Sequence, residues 1–556
     1  MNDYVDVLSV FGGGTARTLG TISSATGHIG SSDVALMFSP GTWTIDDDIT
    51  IAANFTCVVP PGCVFSISTG KTLTINGYLQ TGIYQIFSGV GTVAGLAKNP
   101  SVYPNWWTKN ATPGTTDMTT AIAAALAASG RVDLLEESHL ITSAITLTDN
   151  QVIAGSNWRT SLIKMTGAGT RINLADWNTL HDFKLSGDTS QTFGISASAT
   201  ASRWKLDRVW INSVISGIGL NNCWINTIQD CVITTCTNGI FVHDGLSSNG
   251  PVNATNIIGG EIASCTYGIR FSKNGGSSFS VNTFNVDGMA IEPSGTYGVW
   301  VEDVGVGQLT FNGVHFESCG DAIYRQDTGV SVVSFVNGCL LNLDNDAADK
   351  GIDVTAGTSQ TIAVINSQFN RGGGSSATEA VDLGSGATIA SIIMEGNVWL
   401  NANLVFVNDA DAGLHASRDE LLGTRLVLPA IRDAREVVAA TNVITAEETG
   451  TTFYLGINSG FTSTLPAPAS GLNYKFIVQV APTGAAYIIT TNAGSNVLHG
   501  TFLDIVGELT PFASQDTLNF VANTALIGDR LEVESDGSLW YCKAISGADG
   551  GITVSA

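Results

Sequence analysis

The chain has 556 residues, a formal net charge of −24 and only 13% charged residues, with glycine at 63 positions. That length exceeds what one ordinary core uses, so two or more domains or a repeat architecture are expected. The acidic balance argues against nucleic acid or an anionic membrane surface as partner, and no apolar run approaches the ~20 residues of a spanning helix, so no membrane insertion is expected.

In chain order, residues 1–98 read as a small β-rich unit. Phe38 to Ile45, Val58 to Phe65 and Leu73 to Gly77 are strand-like runs broken by turns, like coils of a short solenoid. Residues 99–133 form a linker, with Tyr103-Pro104-Asn105-Trp106-Trp107, and a helix. Thr116-Asp117 cap that helix, Ala121, Ile122 and Leu126 give it an apolar face, and Gly130 closes it. It is expected to cover the first coil of the rod downstream of it, where unpaired backbone and apolar surface would otherwise be open.

Residues 134–410 carry an internal repeat. Gly194-Ile195, Gly217-Ile218, Gly239-Ile240, Gly268-Ile269, Gly298-Val299 and Ala322-Ile323 recur at steps of 23, 22, 29, 30 and 24 residues. A second element in another phase includes Ile228 to Val232, Ile258 to Ile262, Phe311 to Phe316, Val336 to Leu340, Ile365 to Phe369 and Met394 to Val398. Two phases and a third strand per 22 to 30 residues describe a right-handed parallel β-helix, with roughly eleven coils stacked ~4.8 Å apart. The alignment puts Cys236, Cys265 and Cys319 in one interior column. All nine cysteines read as small buried apolar residues, since no CxxC pair or zinc-like Cys/His spacing occurs.

Residues 411–440 mix charges of both signs and read as a linker. Residues 441–556 read as an antiparallel, sandwich-like β-domain, with strands at Lys475 to Val480, Tyr487 to Thr491, Thr517 to Ala522 and Leu531 to Glu534, and an Asp536-Gly537 turn before Leu539-Trp540-Tyr541.

The Tyr103 to Trp107 linker, the Asp117 to Gly130 helix and the strand Val132-Asp133-Leu134-Leu135 together resemble the entry to the pectate-lyase-like β-helix of bacteriophage tailspikes. The run from Thr464-Leu465-Pro466 to Tyr474-Lys475-Phe476-Ile477-Val478 resembles a module of phage structural proteins. The resemblance implies a homotrimer held to the phage tail or an adaptor protein through its N-terminus, binding or cutting bacterial surface polysaccharide (capsule or lipopolysaccharide O-chain) along the rod. It also implies a virion protein made in the host cytoplasm, which agrees with the lack of a signal-peptide pattern at the N-terminus. A short N-terminal part departs from relatives with a large particle-binding domain.

In a solenoid, equivalent positions on adjacent coils are spatial neighbours. If the glycines of the Gly-Ile elements stack, Asp244, Lys273, Asp303 and Asp327 form one column and His243, Ser272, Glu302 and Gln326 the next. Arg325 and the rings of Phe241, Trp300 and Tyr324 lie just before them. Glycosidic cleavage needs two carboxylates, about 5 Å apart for retention and ~6.5 to 9.5 Å for inversion. Glu302, Asp303 and Asp327 are therefore the candidate catalytic residues. His243, Asp244 and Arg325 are candidates for sugar binding, and Trp300 and Tyr324 for stacking. Like-charge repulsion on adjacent coils is expected to raise one carboxyl pKa.

The alternative reading makes these acids turn residues bonded to backbone. A second acidic pattern is Glu261, Glu292 and Glu317, with His315 in the column of Glu261. No cofactor or metal is expected, and Asp46-Asp47-Asp48 reads as a solvated turn. A polysaccharide depolymerase and a tail fibre that only docks both remain open.

Overall fold

The computed structural model describes residues 4–197, 200–243, 250–273, 280–293, 295–343, 350–359, 361–371, 379–389, 392–400, 405–409, 419–420, 435–491, 496–507 and 509–556. The chain divides into two compact units, Met1–Val427 and Leu428–Ala556. Most of the predicted linker 411–440, and the candidate Asp244, lie outside the described residues.

The first unit is a parallel β-solenoid. Most coils give two strands to a 21-stranded sheet, with Thr179–Ser186 and Lys205–Asn212 each spanning both positions, and every coil gives one to an 11-stranded sheet, whose eleven strands count eleven coils. The core follows from strand alternation, which turns every second side chain inward. Ile195, Ile218, Ile240, Ile269, Val299, Tyr324, Ile352 and Val381 succeed one another in a single ladder position. All eight are fully buried. The glycine before each isoleucine has a steric reason: a Cβ at Gly239 would lie 2.6 Å from the Gly268 carbonyl oxygen of the next coil.

Corners between the two strands of the large sheet use residues in the left-handed region, among them Asp182, Arg208, Asp230, Asn337 and Asn366. Thr235, Ser264 and Ser318 take the same conformation, and each precedes a buried cysteine of the predicted thiol column, Cys236, Cys265 and Cys319.

One coil departs from the expected register. The Gly-Ile alignment equates Ala322 with Gly298, but Ala322 pairs with Tyr297, Tyr324 with Val299, and Arg325 with Trp300. The physical reason is the alternation itself. The expected register would turn Arg325 into the core; the observed one buries Tyr324 and brings Arg325 out beside two carboxylates.

Before these coils lie three short parallel sheets. They are built from Tyr4–Asp6, Val34–Met37, Phe55–Val59 and Tyr78–Thr81; from Gly41–Ile45, Cys63–Ile67 and Phe87–Gly89; and from Ile49–Ile51, Thr72–Ile75 and Thr92–Ala94. Their core is continuous with that of the later coils, from Val7 to Met394. The predicted helix spans Thr119–Ser129. Asp117 accepts hydrogen bonds from the Thr119 backbone N–H (2.9 Å) and hydroxyl (2.5 Å), and Gly130 ends the helix at φ 77°. A helix at Leu19–Ile29, capped by Thr18, was not expected from the sequence.

The second unit has a seven-stranded and a five-stranded sheet around one core that includes Phe453, Phe476, Tyr487, Leu518, Phe520 and Trp540. Several of its later strands pair antiparallel, as expected, Asn473–Val478 with Arg530–Ser535 and Arg530–Ser535 with Trp540–Ile545, while Leu498–Leu503 runs parallel to Trp540–Ile545. Its earlier ones are parallel. Arg435–Val438, Thr452–Leu455 and Asn473–Val478 form one run, and Asn442–Val443, Phe461–Leu465 and Tyr487–Thr491 the other.

Candidate functional site

The outward face of the 11-stranded sheet carries a ladder of rings and charges, one position per coil. Phe241, Arg270, Trp300, Arg325, Asp353 and Asp382 succeed one another in register. Beside it, His243 pairs with Ser272. Glu302 and Asp327 come directly after Val301 and Gln326, which are themselves paired, so Asp327 stands level with Glu302 rather than with Asp303.

The Arg270 guanidinium lies 4.6 Å from the Trp300 ring centre, 5.3 Å from Tyr267 and 5.4 Å from Phe241. Trp300 packs 5.0 Å from Tyr267 and 5.4 Å from Tyr297, whose rings stack on each other at 6.0 Å. Arg325 continues the series at 5.8 Å from Tyr297. At the other end Phe193, His243 and Phe241 stack, with His243 5.0 Å and 4.8 Å from the two phenyl rings. Phe241 and His243 are buried, whereas Tyr267, Tyr297, Trp300 and Arg270 are half-buried and reach solvent.

The carboxylates are held by these cations. Glu302 Oε2 accepts from Arg270 Nη2 at 2.6 Å and from Nε at 3.0 Å. Asp327 accepts from Arg325 Nε at 2.6 Å, from the Trp300 indole N–H at 2.8 Å and from the Thr355 hydroxyl. Arg325 also pairs with Asp353, whose side chain is 5% exposed, and Lys350 bridges Asp353 to Asp382. Burial penalises the charged form of Asp327, but the hydrogen bonds from Thr355, Trp300 and Arg325 outweigh it and hold the carboxyl below its usual range. The expectation of a raised pKa is therefore not met at Asp327; the groups around it stabilise the carboxylate, not a proton donor. Asp303 turns elsewhere and accepts from the Lys273 backbone N–H at 2.5 Å.

Tyr324 is fully buried, with its hydroxyl on Gln326 Oε1 at 3.0 Å and its ring edge-on to Phe335. It belongs to the core and offers no stacking platform, a consequence of the register change. Tyr267, Tyr297, Arg270 and Asp353 take part in the ladder although sequence reasoning assigned them no role. Their signal is present as Tyr-Gly-Ile-Arg and Tyr-Gly-Val-Trp, but becomes legible only once the outward positions are aligned.

The second acidic pattern lies on the large sheet. His315 Nε2 is 3.2 Å from Glu317 Oε2 and Nδ1 is 3.8 Å from Glu292 Oε1. His315 does share a ladder position with Glu261, through Ala290. Each ring nitrogen faces a different glutamate. Asp47 pairs with Lys71 at 2.6 Å, which holds its carboxyl below the usual range, and Asp48 accepts from the Thr72 N–H, so the exposed Asp46 to Asp48 run is tied to the strand that follows one coil later.

A cavity of about 600 Å³ lies on the seven-stranded sheet of the second unit, with Asn473, Lys475, Glu532, Glu534, Tyr541 and Lys543 among its lining residues.

No protein-family model matches the chain, and no curated protein does. Among solved structures it is similar to the tailspike gp42 of Acinetobacter phage vb_AbaP_AS12, at 10% identity over 79% of this chain and 81% of that one, with a TM-score of 0.42. Phage tailspikes are among the structures it resembles. ORF18 of Geobacillus virus E2 matches at 12% identity over 82% and 78% of the two chains, TM-score 0.38. Tailspike protein 3 of bacteriophage CBA120 matches at 15% over 61% of this chain, TM-score 0.35, and the match spans 63% of that protein. The fold assignment itself rests on the strand register. No helix among the described residues is long and apolar enough to cross a membrane.

Proposed function

We propose that the chain is a tailspike-type protein that binds bacterial surface polysaccharide along the outward face of its 11-stranded sheet. One observation carries the reading: the contiguous wall of Tyr267, Arg270, Tyr297, Trp300 and Arg325, which spans three successive coils. Aromatic faces take up the apolar C–H surface of sugars and fixed charged groups take their hydroxyls. A linear polymer laid along the solenoid meets this chemistry on three successive strands, ~4.8 Å apart. In this reading Trp300 is the platform, Arg325 and His243 support sugar contacts, and Glu302, Asp303 and Asp327 are the carboxylates to test for cleavage.

The pairing of Glu302 and Asp327 with arginine favours binding over proton transfer at this face. Cleavage is the second reading, favoured by two carboxylates, Glu302 and Asp327, standing level on adjacent coils. Both are tested by mixing the full chain with a panel of capsule and O-chain polysaccharides while following bound fraction and polymer length. Binding with unchanged length establishes a docking protein; shortening that Asp327→Asn and Glu302→Gln abolish establishes a depolymerase. Absence of binding across the panel overturns the proposal. The same reading makes the protein a homotrimer of the virion tail, attached through its N-terminus, and light scattering is expected to return three chain masses.

A further inference from the structure

A different patch on the solenoid handles charge in the opposite way. Residues 131–210 hold eight of the 24 Lys and Arg against eight Asp and Glu, so this stretch is neutral in a chain of net charge −24. Several of its acids are committed: Asp133 to Arg131, Asp182 to Arg208 and Asp207 to both Lys205 and Arg208. Among the described residues, Arg159, Lys164 and Lys184 have no carboxylate partner.

Two of these cations, Arg159 and Lys184, lie over one aromatic pair, and Lys164 stands on the strand beside Lys184. Trp158 and Trp210 pack with ring centres 5.8 Å apart. The Lys184 ammonium sits 3.5 Å from the Trp210 ring centre, and the Arg159 guanidinium 5.0 Å from that of Trp158. Trp210 is fixed by its N–H on the Thr234 hydroxyl at 3.2 Å. Lys184 stands directly beside Trp210 in the strand ladder and beside Leu162 on the other side; Lys164, two residues beyond Leu162, donates only to the Gly114 carbonyl at 3.3 Å. Lys184 is half-buried, and burial pushes its pKa down. An indole face stabilises a desolvated cation by a fraction of what a carboxylate supplies, so an arriving anion gains what the protein has left unpaired.

We propose that this patch binds an anionic group carried on a sugar chain, a carboxylate or a sulfate ester, with Lys184 as the direct contact and Arg159 and Lys164 flanking it. The half-exposed edges of Trp158 and Trp210 take the C–H surface of the sugar that bears the anion. The inference rests on the reading that the chain binds polysaccharide and adds the charge class of that polymer. It also resolves the difficulty of an acidic protein meeting an acidic glycan: the early coils are where the repulsive field is locally cancelled.

The test is electrophoresis of the full-length protein through native gels cast with polygalacturonate, dextran sulfate or neutral dextran, with tryptophan fluorescence read in parallel. One or both anionic polymers are expected to slow the wild type and perturb its fluorescence, while dextran does neither. A Lys184→Met, Arg159→Gln pair is expected to weaken binding roughly tenfold, the worth of one charge-assisted contact. Lys184→Arg retains binding, which separates lost charge from lost packing, and about 0.5 M salt abolishes it. Preference for polygalacturonate assigns a carboxylate and preference for dextran sulfate a sulfate ester. Equal retardation of the double variant, retardation by dextran alone, no retardation by either anionic polymer, or stronger binding to phosphatidylserine vesicles than to either polymer would overturn the proposal. Binding of a capsule or O-chain that survives the double variant would leave the ladder face standing and remove this site.

Discussion

Around Arg325 every charge has an opposite neighbour: Asp327 and Asp353 flank it, and Lys350 links Asp353 onward to Asp382. Around Lys184 the cation meets an indole face, with no acid beside it among the described residues. Both arrangements are built on outward positions of parallel strands of one solenoid, with similar residue types. Charge-balanced ladders set shape and hold rings in place, since each ionised group is already satisfied. An unbalanced cation adds little to the fold and is free to pair with something outside it.

Stability should separate the two. Arg325→Leu leaves Asp353, 5% exposed, and Asp327 without their guanidinium. Breaking such a buried pair is expected to cost about 3 kcal/mol in denaturant unfolding. Lys184→Met, which keeps the stem over Trp210, should cost no more than about 0.5 kcal/mol. Equal losses would mean that Lys184 is as firmly paired within the fold as Arg325.

Trp300→Ala is expected to have an intermediate effect. It removes the ring under Arg270 and the N–H donor to Asp327, and a loss of about 2 kcal/mol is expected, read the same way. Glu302→Gln is a smaller change. The Arg270 pair is partly solvated, with side chains 23% and 30% exposed, so the loss should stay below about 1 kcal/mol.

The charge-balanced ladder also carries a pH dependence that the Lys184 patch lacks on the acid side. Asp327 has a depressed folded pKa. A group so depressed contributes stability in full above its unfolded value of about 3.9, and the contribution is lost as pH falls through the lower folded value. The stability gap between wild type and Asp327→Asn is therefore expected to be constant above about pH 5 and to close below pH ~4. A gap that instead closes near neutrality would mean that Asp327 is not held as described.

Much of the solenoid is legible in its residues because its constraint is local and repeated. Gly239, Gly268 and Gly298 recur since the next coil's carbonyl leaves no room for a Cβ, and the apolar residue after each glycine marks the inward position. The eleven coils follow from that spacing. The site is less legible, because a single residue of register decides which side chains face out. Ala322 breaks the glycine marker, which puts Tyr324 outside when it is in the core and sets Asp327 beside Asp303 when it stands level with Glu302. The helix at Leu19–Ile29 escapes because Gly20, Thr21, Ser23, Ser24, Thr26 and Gly27 are poor helix formers; it is held by burial of Ile22 and Ala25. In the second unit the strand sites are visible, but whether neighbours run parallel depends on which sheet each strand joins, and alternation does not encode that.

The most direct measurement is the binding of the full-length protein to a panel of capsule and O-chain polysaccharides, with polymer length followed in the same samples and Trp300→Ala as the paired variant. At least one polymer is expected to bind the wild type, and Trp300→Ala to weaken that binding about tenfold or more, the loss of one stacked platform. Binding that is indifferent to Trp300, or no binding across the panel, would contradict the claim that the ladder face is the polysaccharide site.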